Sequence, residues 1–419
     1  MTEEAVIVLD CGATNLRAIA LDRSGNILAG KSFQNHTVQD PHLSGGLIWD
    51  TEYILDKLTK ACRQVCELIK GTPIKGICTT SFGVDGAPYD KNGKQLYPVI
   101  SWACERTNDI MHDVHGILPL QDLHRITGLN RFHFNTLYKL YWLQQNRKDI
   151  LDMTKHWLFM PSIVSGFLCR AHFTDVSMMG TSMLCDRNNR TLSKEILSDF
   201  GFEESWFPVL KEAGEMVGTV TAEASKLTGI PEGTAVFAAG HDTQFAVYGS
   251  GAGINEPILS SGTWEILMVR TPEVYAGRET LDAGITTELD AIPGLFNPGM
   301  QWLGSKYIEQ ARREHFSDVM HRKDIYDIMI SDARSGTERG TIFMKLLRDL
   351  SQKTRDSLLR LEKSCGFKAE KLIVVGGGSK NQLWNQLREE ILGIKIIPIP
   401  QAETTVVGAA KILFERITS

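Results

Sequence analysis

Apolar runs that stop abruptly at small and polar residues organise this chain. The first spans residues 6–22, VIVLDCGATNLRAIALD: four apolar residues lead into Asp10, Cys-Gly-Ala-Thr-Asn breaks the run, and a second apolar run starts at once. A strand, a small-residue turn and a return strand predict a hairpin whose tip presents backbone N–H groups. PILSSGTWEILMV repeats the pattern around Ser261, Gly262 and Thr263, and EKLIVVGGGSKNQLWNQL reads as strand, glycine turn and helix.

Other stretches change period. Over 51–69, Leu55, Leu58, Ala61, Cys62, Val65 and Cys66 share one helical face. Helices are also predicted over 137–151 and 222–227. IKGICTTSFGVDGA is a strand that dissolves into a Gly-rich loop at 83–86, and TAVFAAGHDTQFAVYGSGAG runs a strand into Gly-His-Asp. The Gly-rich segment 249–253 lies between two strand systems and predicts a flexible boundary, with one domain over 1–248 and a second over 254–419. One recurring turn predicts a duplicated α/β fold with turns from both halves around one cleft.

Composition narrows the function classes. A chain of 419 residues with 42% hydrophobic and 23% charged residues is ordinary globular material for two to three domains. A net charge of −5 without a Lys/Arg block excludes a sequence-independent nucleic-acid binder, which needs a basic face. Glu3 and Glu4 stand where a signal peptide carries positive charge, and no apolar run is long enough to span a bilayer. Eight cysteines without CxxC pairs or zinc spacing point to a reducing cytoplasm and no structural metal. Nothing in the pattern speaks to oligomeric state.

The turns offer specific chemistry. A carboxylate such as Asp10 at the end of an apolar strand is costly to bury unless paired or facing a cation, and a Mg²⁺ held through water is one solution. Gly12, Ala13, Thr14 and Asn15 then offer N–H groups and a hydroxyl to phosphate oxygens, with Arg17 as further charge. The same residue types make an ordinary capped turn, and the segment alone fits both. Gly262 and Thr263 carry the same ambiguity. The turn from Gly376 to Ser379 gains the dipole of the following helix, with Ser379 or Asn381 as its cap. It is neither a Walker loop nor a dinucleotide fingerprint. Asp242 in AGHDTQ suits a group that orients and deprotonates a hydroxyl attacking a phosphoryl group, and a hydrogen-bonded strand end fits it as well. No GxSxG elbow supports a Ser-His-Asp hydrolase.

Taken together, LDCGATNLRA, TTSFGVDGA, AGHDTQFA, LSSGTWEILMV, NPGMQWL, LIVVGGGSKNQLWNQL and AETTVVGAA resemble the FGGY family of carbohydrate kinases, in the same order from about Val6 to Ala410. Within that family the pattern is most similar to the fuculokinases: Trp102-Ala-Cys104-Glu-Arg106 has cysteine where many relatives carry aspartate. The resemblance implies an actin/hexokinase-type fold, two ribonuclease-H-like domains with ATP and sugar in the cleft between them. It implies a Mg²⁺-dependent transfer of the ATP γ-phosphoryl group to O1 of L-fuculose. Asp10 would lie near the Mg²⁺. Gly12, Ala13, Thr14, Asn15 and Arg17 would form the first phosphate loop, Gly262 and Thr263 the second, and Gly377, Gly378 and Asn381 the adenosine loop. Asp242 would be the catalytic base. Sugar contacts would fall on Asp85, Gly86, His241, Thr243 and Asn297, with Trp102 and Arg106 shaping the same pocket. The alternatives are a rhamnulokinase-like enzyme, which shares the GHDT and Gly-Val-Asp-Gly elements, or another ketose kinase.

The chain departs from the family pattern in its second half. Between Ser331 and Arg339 a longer stretch is expected, and a further tail is expected after GAAKILFERI. Lys345, Arg348 and Asp349 replace small or apolar residues. A deletion inside a domain can expose apolar surface or strand edges, which leaves a catalytically weak sugar- or nucleotide-binding protein as the competing expectation.

Overall fold

The structure, a computed structural model, describes residues 4–399 and 403–418. Glu3 of the N-terminal acidic pair, Ala402 at the start of AETTVVGAA and the final Ser419 lie outside the described residues.

In the first half, β1 (Ala5–Cys11), β2 (Asn15–Leu21) and β3 (Ile27–Gln34) form an antiparallel meander. Helix α1 (Thr51–Leu68) then crosses over to β4 (Ile74–Ser81), parallel to β1. Asp50 caps α1 by accepting from the Tyr53 N–H at 3.0 Å, and Ile54, Leu58, Ala61, Cys62 and Val65 are its buried face. A helical insertion follows that includes α2 (Thr136–Asn146), α3 (Lys148–Met153) and α4 (Val176–Thr181). β5 (Met216–Thr219), β6 (Ala235–His241) and α5 (Asp242–Gly249) close the first half, in the sheet order β5-β6-β4-β1-β2-β3.

The second half repeats the plan. β7 (Pro257–Ser261), β8 (Trp264–Val269), β9 (Thr286–Leu289) and β10 (Phe296–Leu303) precede α6 (Ile325–Ser335) and α7 (Glu338–Cys365). β11 (Lys371–Val375), α8 (Gln382–Leu392), β12 (Lys395–Pro398) and α9 (Thr404–Thr418) complete it, in the order β9-β10-β8-β7-β11-β12. Without the outermost β5 and β9, the strand orders β3-β2-β1-β4-β6 and β10-β8-β7-β11-β12 match in direction, two antiparallel pairings followed by two parallel ones. The expected duplicated α/β fold is present.

Three expectations need correction. The single helix over 137–151 is two, α2 and α3, because Arg147 leaves the helical region (φ −143°, ψ 53°). That break folds Ile150 and Leu151 into the core that Leu140 and Leu143 already occupy. Gly249, the first residue of the boundary segment expected to be flexible over 249–253, is packed at a helix crossing. A Cβ on Gly249 would stand 1.9 Å from the Thr404 carbonyl oxygen, and one on Gly408 would stand 2.1 Å from that of Phe245, so α5 and α9 touch backbone to backbone where only glycine fits. Finally, α9 comes from the second half of the sequence but packs on the first sheet. Val406, Ala409, Ala410 and Leu413 share a core with Val6, Val8, Leu21 and Cys78.

The stretch expected to be shortened is closed. Helix α6 ends at Gly336 (φ 70°), and the Thr337 hydroxyl caps α7 by accepting from the Gly340 N–H at 3.1 Å. Arg339 pairs with Asp318 at 2.8 Å and with Asp332 at 2.5 Å, which ties the start of α7 to the segments before it. Arg348 pairs with Glu390 of α8 at 3.1 Å. Among the described residues no helix is long and apolar enough to cross a membrane.

Candidate active site

Both glycine hairpins sit on an ion pair, half-buried under the first and fully buried under the second. In the first hairpin the Gly12 N–H donates to the Asn15 carbonyl at 2.9 Å, leaving Thr14 and Asn15 exposed at the tip. Arg17, opposite Asp10 in the ladder, donates to its Oδ2 from Nε at 2.9 Å and Nη2 at 2.6 Å. The same guanidinium reaches Glu403 beside α9 at 2.6 Å, and Thr80 holds the other Asp10 oxygen at 3.0 Å. In the second hairpin the Gly262 N–H donates to the Trp264 carbonyl at 2.9 Å. Beneath it Glu265 and Arg388 pair at 2.8 Å, both wholly buried, with Ser261 bridging them. Burial raises the Glu265 pKa and lowers that of Arg388, and each partner opposes the other's shift.

Asp242 is the first residue of α5, where β6 ends. Its Oδ1 lies 3.5 Å from His241 Nε2 and accepts from the Thr243 hydroxyl at 3.2 Å, and the side chain is 30% exposed to the cleft. Loss of water contact pushes its pKa up to about 6; His241 opposes the shift and Asp10 adds to it. Burial lowers the His241 pKa, but the carboxylates of Glu288, Asp242 and Asp175 outweigh it and raise the value above the ordinary one.

A cavity of about 240 Å³ opens over Asp242, walled by both halves. His241, Asp242, Thr243, Ala13, Trp102 and the loop Phe82-Gly83-Val84 come from the first half, and Trp264, Ile266, Met268, Thr286, Glu288 and Gln301 from the second. The alternation of a strand explains the second set. Trp264, Ile266 and Met268 alternate along β8, as Thr286 and Glu288 do along β9, while Leu267 and Val269 enter the opposite core. Glu288 is the residue that sequence reading missed. Its Oε2 accepts from Gln244 Nε2 at 2.6 Å and lies 3.2 Å from His241 Nδ1, close enough for an ion pair though not aligned as a hydrogen bond. Period-two spacing in TTEL could have placed it on a face; nothing local could have placed that face over His241.

Four of the expected sugar contacts lie behind this cavity rather than on it. Asp85 is wholly buried, paired with Lys139, and it accepts from Trp49 Nε1 at 2.6 Å and from the Trp102 N–H at 3.0 Å. Gly86 is packed under Leu158 and Trp157. Arg106 donates to Asp40 at 2.7 Å and to Cys104 Sγ at 3.1 Å, so the cysteine that marks the subfamily holds an arginine that faces inward. Asn297 donates to Gln244 and to Asp290, the latter at 2.9 Å. The side chains of Asp85, Arg106 and Asn297 are spent on protein partners, because a buried charge or amide must be paired to be tolerated.

A second cavity of about 420 Å³ is lined by Ser305, Ile308, Tyr326, Ile330, Gly377, Gly378, Lys380, Asn381 and Trp384. Gly377 is open to it, whereas the Asn381 side chain caps α8 by accepting from the Trp384 N–H at 3.0 Å. The turn Gly262-Thr263 links the two cavities: it adjoins Trp264 of the first and accepts at 3.0 Å from the N–H of Ser305 of the second. A nucleotide fits this layout, its phosphates along the turns. The carboxylates at the turns also fit a Mg²⁺ that keeps most of its water: Asp10 already accepts from Arg17 and Thr80 and is left only water-mediated contact, Asp242 is partly exposed, and no cage of three ligands stands among the described residues.

Comparison with known proteins gives the same picture. Residues 5–249 match the N-terminal domain of the FGGY family of carbohydrate kinases, and residues 293–414 match its C-terminal domain. The chain is 40% identical to L-fuculokinase from Escherichia coli (strain K12) over 437 aligned residues, covering 98% of this chain and 92% of that protein. It is 26% identical to a rhamnulokinase from Lactiplantibacillus plantarum, covering 99% of this chain and 90% of that one. The crystal structure of xylulose kinase from Rhodospirillum rubrum superposes with a TM-score of 0.86 at 16% identity, over 98% of this chain and 89% of that one. With its two matched sheets, its two glycine hairpins and a carboxylate at the seam between the halves, the chain belongs to the FGGY family of carbohydrate kinases and is a phosphotransferase that acts on a sugar hydroxyl.

Proposed function

We propose that the enzyme transfers the γ-phosphoryl group of ATP to O1 of L-fuculose, giving L-fuculose 1-phosphate and ADP. The observation that carries this reading is the place of Asp242, partly exposed at the floor of a cavity shared by both halves and next to the first hairpin turn. The sugar would occupy that cavity beside His241, Thr243 and Trp102. Asp242 would orient the attacking hydroxyl and take its proton; with a pKa of about 6 it is mostly ionised at neutral pH. Little base strength is needed, because the transition state is loose and the proton leaves late. Adenosine would lie against Gly377 and Gly378, with the phosphates across Gly262, Thr263 and the Gly12-to-Asn15 turn. Mg²⁺, when bound, offsets charge on the phosphate oxygens, and Asp10 would hold it through water. Closure of the halves over the seam would exclude water as a competing acceptor.

Greater identity to an L-fuculokinase than to a rhamnulokinase favours L-fuculose as the ketose. Dependence on ATP and eight free cysteines suit the cytoplasm. Carbon-13 and phosphorus-31 NMR of the product tests the reading: phosphorus coupling to C1 of L-fuculose is expected. A phosphate on another carbon, or none, overturns it.

A further inference from the structure

Among the described non-glycine residues with left-handed backbone, Val84 alone is β-branched, at φ 65°. The Asp85 N–H donates to the Gly83 carbonyl at 2.8 Å. That bond closes a three-residue turn around Val84 of the hand that is rare and strained for an L residue.

The surroundings impose the turn. The Val84 N–H donates to the Thr181 hydroxyl at 2.9 Å, and its carbonyl accepts from the Thr136 hydroxyl at 2.8 Å and from Lys139 Nζ at 3.4 Å. Asp85 is pinned in turn by Lys139, Trp49 and Trp102. Strain held this firmly is characteristic of positions that serve a site. With both backbone groups engaged by buried partners, the side chain is the part of Val84 left to face the seam cavity, beside Leu129, Phe132, Phe134 and Met268. The turn also brings Gly83 against His241, where an added Cβ would stand 3.1 Å from Nε2. Glycine or asparagine would adopt this backbone at less cost; what valine adds at this position is a branched apolar surface.

We propose that Val84 is a specificity-determining residue that reads the terminal methyl carbon of a 6-deoxyketose. The inference deepens the L-fuculose reading and rests on it. A 6-deoxyketose ends in CH₃ where an ordinary ketohexose carries CH₂OH and a pentulose carries nothing. An apolar wall stabilises the methyl group and leaves a hydroxyl without a partner.

The test compares kcat/KM for L-fuculose, for D-ribulose, which lacks the methyl carbon, and for L-tagatose, which adds a hydroxyl to it. Wild-type enzyme, Val84→Gly and Val84→Asn are measured side by side, with thermal unfolding of each. The wild type should prefer L-fuculose to D-ribulose roughly 10- to 200-fold, the usual discrimination for one carbon in an apolar pocket. In Val84→Gly that ratio should fall about tenfold, the thermal unfolding showing that the variant is folded at the assay temperature. In Val84→Asn the ratio of L-tagatose to L-fuculose should rise. Folded variants that turn over L-fuculose with wild-type ratios would make the turn purely structural and overturn the proposal. A wild-type enzyme that ignores L-fuculose but uses another ketose would overturn the L-fuculose reading, and this inference with it.

Discussion

His241 Nδ1 stands 3.2 Å from Glu288 Oε2, although the histidine ends a strand of the first sheet and the glutamate lies on the outer strand of the second. Through Gln244, Asn297 and Asp290 the contact continues to the buried Arg270, so a chain of polar side chains runs from the seam into the second half. The seam cavity is thus walled and braced by both halves.

Replacing Glu288 separates its charge from its shape. Glu288→Gln keeps an acceptor for Gln244 but removes the carboxylate that raises the His241 pKa. Steady-state kinetics should show KM for the sugar about tenfold higher, because His241, less readily protonated without the carboxylate, donates a weaker hydrogen bond to the sugar beside it, and KM for ATP within twofold. An unchanged sugar KM contradicts a part for the Glu288 charge in holding His241 ready for the sugar.

Asp242→Asn should lower kcat by about 10² to 10⁴, the range for loss of a general base, while ATP binding measured by calorimetry survives. In the wild type kcat/KM should fall as pH drops through about 6, because the base is protonated there and cannot accept the sugar proton. The variant should lack that acid limb.

The pair formed by Asp85 and Lys139 is sealed from solvent, with side chains 0% and 1% exposed. Lys139→Met leaves a buried carboxylate without its counter-charge and should cost about 3–5 kcal/mol in denaturant unfolding. Adding Asp85→Asn should recover part of that loss. Equal stability of the single and double variants would show that the carboxylate gains nothing from the lysine.

Asp175 is buried, accepts from the Ser177 hydroxyl and the Met178 N–H, and has an Oδ2 without a partner among the described residues. Burial pushes its pKa up to about 7 from 3.8. The folded state therefore holds this proton more tightly than the unfolded chain, so its penalty is absent below about pH 4 and complete once pH rises past about 7. Asp175→Asn should match the wild type near pH 4 and be more stable by a few kcal/mol at pH 8. A pH-independent difference in unfolding free energy rules this out.

What the sequence made legible was local. The turns at Gly12-to-Asn15, Gly262-Thr263 and Gly376-to-Ser379 are written in neighbouring residues, and α1 in the spacing of its apolar face. The order of the motifs then carried the family. Pairings set by distant residues were not legible. Arg106 has the look of a pocket residue until Asp40, 66 positions away, claims it. Asn297 is claimed by Gln244 and Asp290. The return of α9 to the first sheet depends on two glycines that meet only in the folded chain. Glu288 carries no turn signature, and its role comes from the register of β9 against β10 and the approach of the halves.

The most direct test of the central claim is ADP release from Mg-ATP with L-fuculose, L-rhamnulose, D-ribulose, L-xylulose, glycerol or no sugar. Sugar-dependent ADP release with a clear preference for L-fuculose is the predicted result. Release indifferent to sugar, or none with any sugar from folded protein, would contradict a ketose kinase built around Asp242.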